Sequence, residues 1–193
     1  MRDLTLDDIK DLREYERERD EFRRHIVAMK KRRRVQLGDL LTIVFENTDT
    51  MRFQIQEMAR IERMLTDEQI EQEVETYKQF IPAPNELSGT LFVEIDNKER
   101  LYEWLPKLVG IQRAVSIWLH DGSTLASVPE DEERLTREGT TTTVHYLKFR
   151  FSPEQIDAFS AGSVRIVVDH PSYNAVVELT EEQRSELLGD LRD

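Results

Sequence analysis

Two histidine–aspartate pairs are the residues of this sequence whose type and position could support metal chemistry. His120-Asp121 and Asp169-His170 both fall where an apolar run gives way to a turn, and the two histidines lie 50 residues apart. Imidazole nitrogens and carboxylate oxygens are common ligands of divalent metal ions. If the two turns approach one another, these four side chains form a candidate site for one divalent metal ion, as in a small metal-dependent enzyme.

The alternative is that the same residues only form turns. Asp121-Gly122 and His170-Pro171 are typical turn sequences, and their spacing matches no known metal-ligand signature. The sequence has no Gly-x-Ser-x-Gly, Walker-type or Gly-x-Gly-x-x-Gly motif, so the catalytic residues are unknown and no cofactor is expected apart from that metal ion. It also has no cysteine, which excludes thiol catalysis and Cys-ligated metal centres within this chain. Whether the protein is an enzyme stays open.

A block of five positive charges stands out in a chain whose net charge is −12. Residues 1–34 contain 12 Lys or Arg and 9 Asp or Glu, so the rest has 15 of the 27 basic and 30 of the 39 acidic residues, or −15. An exposed basic helix end beside an acidic body predicts a docking surface for an acidic partner, although a solvated helix end explains the block equally well. The block consists of Lys30, Lys31, Arg32, Arg33 and Arg34.

The elements that position these residues follow from periodicity. Thr5 resembles a helix N-cap, and apolar residues at helical spacing from Ile9 to Met29 predict one long N-terminal helix of about 28 residues that ends in the basic block. The runs 41–47 and 51–56 predict a β-hairpin, because Met51, Phe53 and Ile55 alternate with polar residues. A capping box at Thr66 then opens a second helix.

The polar residues of that predicted hairpin have two interpretations. They could line a ligand pocket, or they could form the solvated face that antiparallel sheets usually carry. The residues are Glu46, Asn47, Arg52, Gln54 and Gln56.

The remaining sequence shows the same order of elements twice. A strand at 91–95, a helix from 97, and strands at 115–119 and 124–128 form a first β-α-β-β unit. Strands at 144–151, 164–169 and 175–179, with a helix opened by Ser152, form a second. A capping box at Thr180 predicts a C-terminal helix.

The fold class is therefore α+β: a long N-terminal helix and β-hairpin, two β-α-β-β units that form antiparallel or mixed sheet, and a C-terminal helix. Pro82 to Asn85 is the predicted boundary between residues 1–81, with the long helix, hairpin and second helix, and residues 86–193. The two regions could also form one continuous domain.

Composition limits the location and the partners. No apolar stretch is long enough for a membrane span and the first residues lack a signal core, which predicts a cytoplasmic protein without membrane contact. The acidic body argues against nucleic acid, because phosphate-binding domains are usually basic over a whole face. Self-association into a homo-oligomer stays open.

Four phrases of the sequence, together with the Arg-rich N-terminal helix, resemble an uncharacterised bacterial family, a domain of unknown function, over nearly the full chain. They lie at residues 4–9, 45–58, 103–111 and 168–171. The resemblance implies genes beside rubrerythrin-like proteins and iron–sulfur proteins similar to heterodisulfide reductase subunits. It therefore implies an accessory role in redox or peroxide defence, with a redox or iron–sulfur protein as partner, and no assigned reaction.

The sequence thus predicts a cytosolic, non-enzymatic accessory or interaction protein. The small metal-dependent enzyme with its site at the paired turns is the alternative.

Overall fold

The computed structural model describes residues 4–130 and 139–192. Within these ranges the α-helices are α1 Leu12–Arg33, α2 Thr48–Glu62, α3 Asp67–Lys78, α4 Lys98–Lys107, α5 Pro153–Ala161 and α6 Glu181–Arg192. The strands are β1 Arg34–Leu37, β2 Leu41–Glu46, β3 Glu86–Val93, β4 Val115–Leu119, β5 Thr124–Ala126, β6 Val128–Glu130, β7 Val144–Arg150, β8 Val164–His170 and β9 Tyr173–Glu178. Short 3₁₀ turns lie at Leu6–Asp8 and Ile111–Arg113.

The strands form two antiparallel sheets. The five-stranded sheet has the order β1-β2-β3-β7-β6, and the four-stranded sheet has the order β5-β4-β8-β9. This arrangement confirms the predicted α+β class, with a long N-terminal helix, a hairpin, antiparallel sheet and a C-terminal helix. Since β2 pairs with β3, the five-stranded sheet contains strands from both sides of residues 82–85. The division into two domains stays a prediction.

The two β-α-β-β units are interleaved between the sheets. Each unit gives its first strand, β3 or β7, to the five-stranded sheet and its last two strands, β4-β5 or β8-β9, to the four-stranded sheet. The units meet where β3 pairs with β7 and where β4 pairs with β8, both antiparallel. Both contacts between the units are antiparallel, as a twofold relation between them would require.

The main core lies between the two sheets. The side chains of β2, β3 and β7 that face inward pack against those of β4 and β8, and α5 and α6 close the core with residues such as Phe159 and Leu187. A second apolar cluster involves α2, α3 and the N-terminal segment, with Ile55, Val74 and Phe80. The Phe80 ring stacks on Tyr146 of β7, with centroids 3.7 Å apart, so this cluster packs on the outer face of the five-stranded sheet.

The predicted hairpin lies earlier in the chain than expected. The hairpin is β1-β2, and residues 51–56, predicted as its second strand, belong to α2. Asn47 caps this helix, because its side chain accepts a hydrogen bond from the Thr50 amide and the Thr50 hydroxyl accepts one from the Asn47 amide. Met51, Ile55 and Ala59 then share one buried helix face.

The first helix begins later than predicted. Thr5 caps only the 3₁₀ turn, and α1 starts at Leu12, where the Asp11 side chain accepts hydrogen bonds from the amides of Arg13 and Glu14. The helix has 22 residues. Between the 3₁₀ turn and α1, the Lys10 amide donates a hydrogen bond to the Gln56 side chain at 2.7 Å, and that side chain donates one to the Lys10 carbonyl at 3.0 Å.

A buried tyrosine ties the first hairpin to the four-stranded sheet. The Tyr173 hydroxyl donates a hydrogen bond to the Leu37 carbonyl at 2.7 Å and accepts one from the Leu40 amide at 3.1 Å. Gly38, between these residues, has φ +72°, and a Cβ atom there would lie 2.2 Å from the Tyr173 hydroxyl. Both the backbone conformation and the close approach require glycine.

None of the helices in the described ranges has the length and apolar character needed to cross a bilayer.

Candidate functional site: the surface of the N-terminal helix

Helix α1 packs along α2 through a narrow stripe of buried residues. Tyr15, Ile26 and Met29 are buried on one side of α1. Arg19 lies in this stripe where an apolar side chain would continue the pattern. Glu57 of α2 lies opposite this cation, so an ion pair takes the place of apolar contact.

Glu57 joins Tyr15 and Arg19 in an interhelical clamp. Arg19 donates two hydrogen bonds to the Glu57 carboxylate, from Nε at 2.7 Å and from Nη2 at 2.9 Å, and the Tyr15 hydroxyl donates a third at 2.7 Å. The hydrogen bonds from Arg19 lower the pKa of Glu57 to about 2, against an ordinary value of 4.5. Burial, and then the bond to Glu57, raise the pKa of Tyr15. The clamp therefore holds an ionised carboxylate and a neutral phenol at neutral pH.

This clamp should make stability sensitive to acid. Because the folded-state pKa of Glu57 is depressed, its contribution is complete above pH 4.5 and is lost as pH falls toward 2. The Glu57 side chain is 17% exposed, and we expect a contribution of about 1–2 kcal/mol after solvent screening. Urea unfolding of the wild type and Glu57→Gln, measured from pH 7 to pH 2.5, would show the difference between them shrinking below pH 4.5.

Glu103→Gln provides the control, because Glu103 is an exposed carboxylate that pairs with a lysine on the same helix. Its effect on the unfolding free energy should be small at every pH. A Glu57→Gln difference that stays constant down to pH 2.5 would contradict the assigned role of the clamp.

Most residues of the basic block at the end of α1 form ion pairs within the protein. Arg33 is 1% exposed. Its Nε donates to the Phe45 carbonyl at 2.9 Å, and its guanidinium forms ion pairs with Glu186 and Asp190 of α6. The expectation of an exposed basic helix end is wrong for this residue, because the acidic groups that bind it lie more than 150 positions later in the sequence.

Three other members of the block also form ion pairs with the acidic body. Arg32 pairs with Glu186 at 2.8 Å, Lys30 with Glu46 at 3.6 Å, and Arg34 with Glu94. Burial opposes ionisation of Glu186, but its hydrogen bonds to Arg32 and Arg33 outweigh this effect and lower its pKa. Lys31 is exposed and has no ion pair within the described ranges. Binding of a partner by the block stays a prediction, and Lys31 is its member most available for contact.

Four further cations lie on the outward side of α1, where the carboxylates Asp20 and Glu21 are exposed as well. Arg17, Arg24 and Lys31 lie seven residues apart, with Arg23 beside them, and all four side chains are exposed. Within the part of the chain that the structure describes, none of them forms an ion pair. We call these four residues the cationic face. One signal in the sequence could have revealed it: residues 22–33 contain six Lys or Arg and no Asp or Glu.

The flank of α1 also borders a groove toward α2. Its volume is about 540 Å³, and its walls include Glu18, Glu21 and Lys10 as well as Arg52 and Gln56 of α2. Arg52 and Gln56, two of the five residues considered as the lining of a ligand pocket, border this groove, and ligand binding there stays a prediction. Carboxylates and cations occur in nearly equal number there, so the groove does not select one sign of ligand charge.

The two histidine-containing turns lie at opposite ends of the four-stranded sheet. In the β4-β8 pair, Leu119 is opposite Val164 and Val115 is opposite Val168. His120 and His170 are therefore separated by roughly 20 Å at about 3.3 Å per residue. The antiparallel pairing of β4 with β8 places the two turns at opposite ends instead of bringing them together.

Each turn histidine hydrogen bonds to a nearby carbonyl instead. A ring nitrogen of His120 lies 3.0 Å from the Ala158 carbonyl oxygen, and one of His170 lies 3.0 Å from that of Val109. The Asp121 carboxylate accepts hydrogen bonds from the Ser123 amide and hydroxyl. In residues 4–130 and 139–192, no group of three or more His, Asp or Glu side chains is placed to hold a metal ion. The structure does not bring His120, Asp121, Asp169 and His170 together.

Comparison with known proteins identifies relatives without a described activity. A family model for "Protein of unknown function (DUF3501)" matches residues 3–191, which confirms the predicted resemblance to a domain of unknown function. No curated protein matches the chain. A crystal structure of a novel protein of unknown function from Burkholderia pseudomallei K96243 is similar, with a TM-score of 0.91 and 29% sequence identity, over 98% of this chain and 100% of that chain.

Proposed function

The chain belongs to the DUF3501 family, whose function is unknown, and from this premise we propose that it is a cytosolic, non-enzymatic accessory protein that binds an acidic partner protein. The contact is the cationic face of α1. One observation carries this proposal: Arg17, Arg23, Arg24 and Lys31 are exposed without ion pairs within the described ranges, whereas neighbouring cations of the basic block bind the acidic body.

The helix that carries this face is held in place before any partner arrives. The clamp at Glu57 ties the first turns of α1 to α2, and Arg33 ties its last turn to β2 and α6. A surface that is already ordered loses less conformational entropy when it binds. The complementary charges would also speed association and make it depend on salt.

A redox or iron–sulfur protein is the partner class that the sequence resemblance implies. The chain has no cysteine, so it cannot supply Cys ligands for an iron–sulfur cluster. Its role would be to bind the redox protein, and a role in peroxide defence would follow from that partner.

A titration against a purified rubrerythrin-like protein from the same genome tests this proposal. We expect binding that weakens as salt is raised from about 50 to 300 mM. Reversing the charges of Arg17, Arg24 and Lys31 to Glu should weaken binding at least about tenfold, because three attractive contacts become repulsive.

A matched variant separates the cationic face from net charge. Lys98, Arg100 and Arg165 lie on α4 and β8 and are also exposed, and their replacement by Glu changes the net charge equally. This variant should bind nearly as well as the wild type. Equal weakening by both triple variants would refute the assignment of the contact to α1. If the wild type does not bind the redox protein, the proposed partner is wrong.

A further inference from the structure

The seven-residue spacing of three cations on α1 indicates which secondary structure of a partner would match them. Arg17, Arg24 and Lys31 recur every seven residues, which is about 10 Å along the helix axis at 1.5 Å per residue. Seven residues are nearly two turns, so successive cations deviate by only about 20° around the helix. They form an almost straight row along the exposed side of α1.

A second helix is the element that matches this row. Carboxylates seven residues apart on a helix have the same 10 Å repeat, and two helices that cross at about 20° keep such rows in register. On a β-strand, side chains of one face recur about every 7 Å. A strand would therefore meet Arg17 and Lys31, which are about 20 Å or six strand residues apart, but would miss Arg24 between them.

The residues between Arg24 and Lys31 permit the approach of a helix, whereas the exposed carboxylates Asp20 and Glu21 lie between Arg17 and Arg24. Ala28 is exposed between Arg24 and Lys31, and its small side chain leaves room for a neighbouring backbone. Val27, 46% exposed, offers an apolar contact beside the same cations. Small and apolar residues inside a charged row are typical of helix–helix contacts, in which charges flank a narrow packed seam.

We infer that α1 binds an acidic helix of its partner, which lies along Arg17, Arg24 and Lys31 with carboxylates at seven-residue spacing. This inference rests on the proposed function and specifies the partner's chemistry. Nucleic acid carries negative charge as well, but the acidic remainder of the chain, at −15 from residue 35 onward (27 − 12 = 15 Lys or Arg against 39 − 9 = 30 Asp or Glu), opposes a long polyanion.

Three synthetic peptides of equal length and equal charge test the inference. The first is an alanine-rich helix with three glutamates seven residues apart. The second has the same glutamates five residues apart, which spreads them around the helix, and the third keeps seven-residue spacing but contains two internal prolines that prevent helix formation. Each is titrated into the ¹⁵N-labelled full chain at about 10 mM ionic strength, where screening is weak.

The first peptide should bind about tenfold more tightly than the other two, because only it presents all three carboxylates in register. Its amide shift changes should concentrate between residues 17 and 31, and the triple charge reversal of Arg17, Arg24 and Lys31 should abolish them. Equal affinity for the three peptides would overturn the helix inference. Stronger binding of a 20-base-pair DNA duplex than of the first peptide would also overturn it.

The two proposals can fail separately. If the purified redox protein binds through the cationic face but all three peptides bind equally, the proposed function stands and the helical partner is wrong. If no peptide shifts the amides of α1, the inference is wrong, and the protein titration alone decides the proposed function.

Discussion

Replacement of Arg33 by methionine is expected to lower the free energy of unfolding by about 3–5 kcal/mol. The side chain is 1% exposed and its guanidinium bonds to the Phe45 carbonyl and to the carboxylates of Glu186 and Asp190. Methionine fills much of the same volume but provides no donor. The buried Asp190 would lose its cation and the Phe45 carbonyl its donor, which is costly inside a protein. Urea unfolding at pH 7 measures the loss.

Arg32→Met is the matched control for this prediction. Arg32 also pairs with Glu186, but its side chain is 38% exposed, so its loss should cost no more than about 1 kcal/mol. If Arg33→Met prevents folding, the double variant Arg33→Met/Asp190→Met still tests the account. It also removes the buried carboxylate that has lost its ion pair with Arg33, and should be more stable than Arg33→Met. Equal losses for Arg32→Met and Arg33→Met would show that burial of Arg33 has no energetic consequence.

Gly38→Ala should destabilise the protein by about 2–4 kcal/mol. Alanine at φ +72° is strained by roughly 1 kcal/mol. Its Cβ would lie 2.2 Å from the Tyr173 hydroxyl, so the tyrosine must move and leave the Leu37 carbonyl and the Leu40 amide unpaired, which adds about 1–3 kcal/mol. Thermal and urea unfolding would both report this loss.

Gly122→Ala isolates the backbone contribution. Gly122 has φ +89°, and nothing lies within 4 Å of a Cβ atom placed there, so its cost should be only about 1 kcal/mol. In a Tyr173→Phe background the hydroxyl is absent, and the added cost of Gly38→Ala should fall toward that of Gly122→Ala. Equal costs for the two glycine substitutions in the wild type would contradict a close approach at Tyr173.

Local signals predicted most elements of the second half of the chain. Strand β4 has the predicted bounds, 115–119, and Ser152 and Thr180 precede α5 and α6 as predicted caps. Capping boxes and alternating strands are recognisable because the residues that specify them are close in sequence. The strand predicted at residues 51–56 was wrong because it, too, relied on a local pattern alone. Over six residues Met51 and Ile55 fit either a strand or a helix, and the deciding feature was the Asn47 cap.

The candidate site could not be predicted in the same way, because it depends on contacts between residues that are far apart in the sequence. The acidic partners of Arg33 lie 153 and 157 positions away, so the basic block could not be recognised as internally bound. The two histidine turns were placed by the antiparallel register of β4 and β8, which depends on how two distant strands meet. In contrast, the heptad spacing of Arg17, Arg24 and Lys31 was present in the sequence and needed only the knowledge of which side of α1 is exposed.

Both sheets contain strands of both β-α-β-β units, so the units meet within one chain as two subunits would meet in a dimer. Each unit alone would leave strand edges unpaired, because β3 pairs with β7 and β4 pairs with β8 of the other unit. Joining the two in one backbone gives each a high effective concentration of its partner. Assembly of the sandwich therefore does not depend on the abundance of the protein, and it stays the same however dilute the protein is.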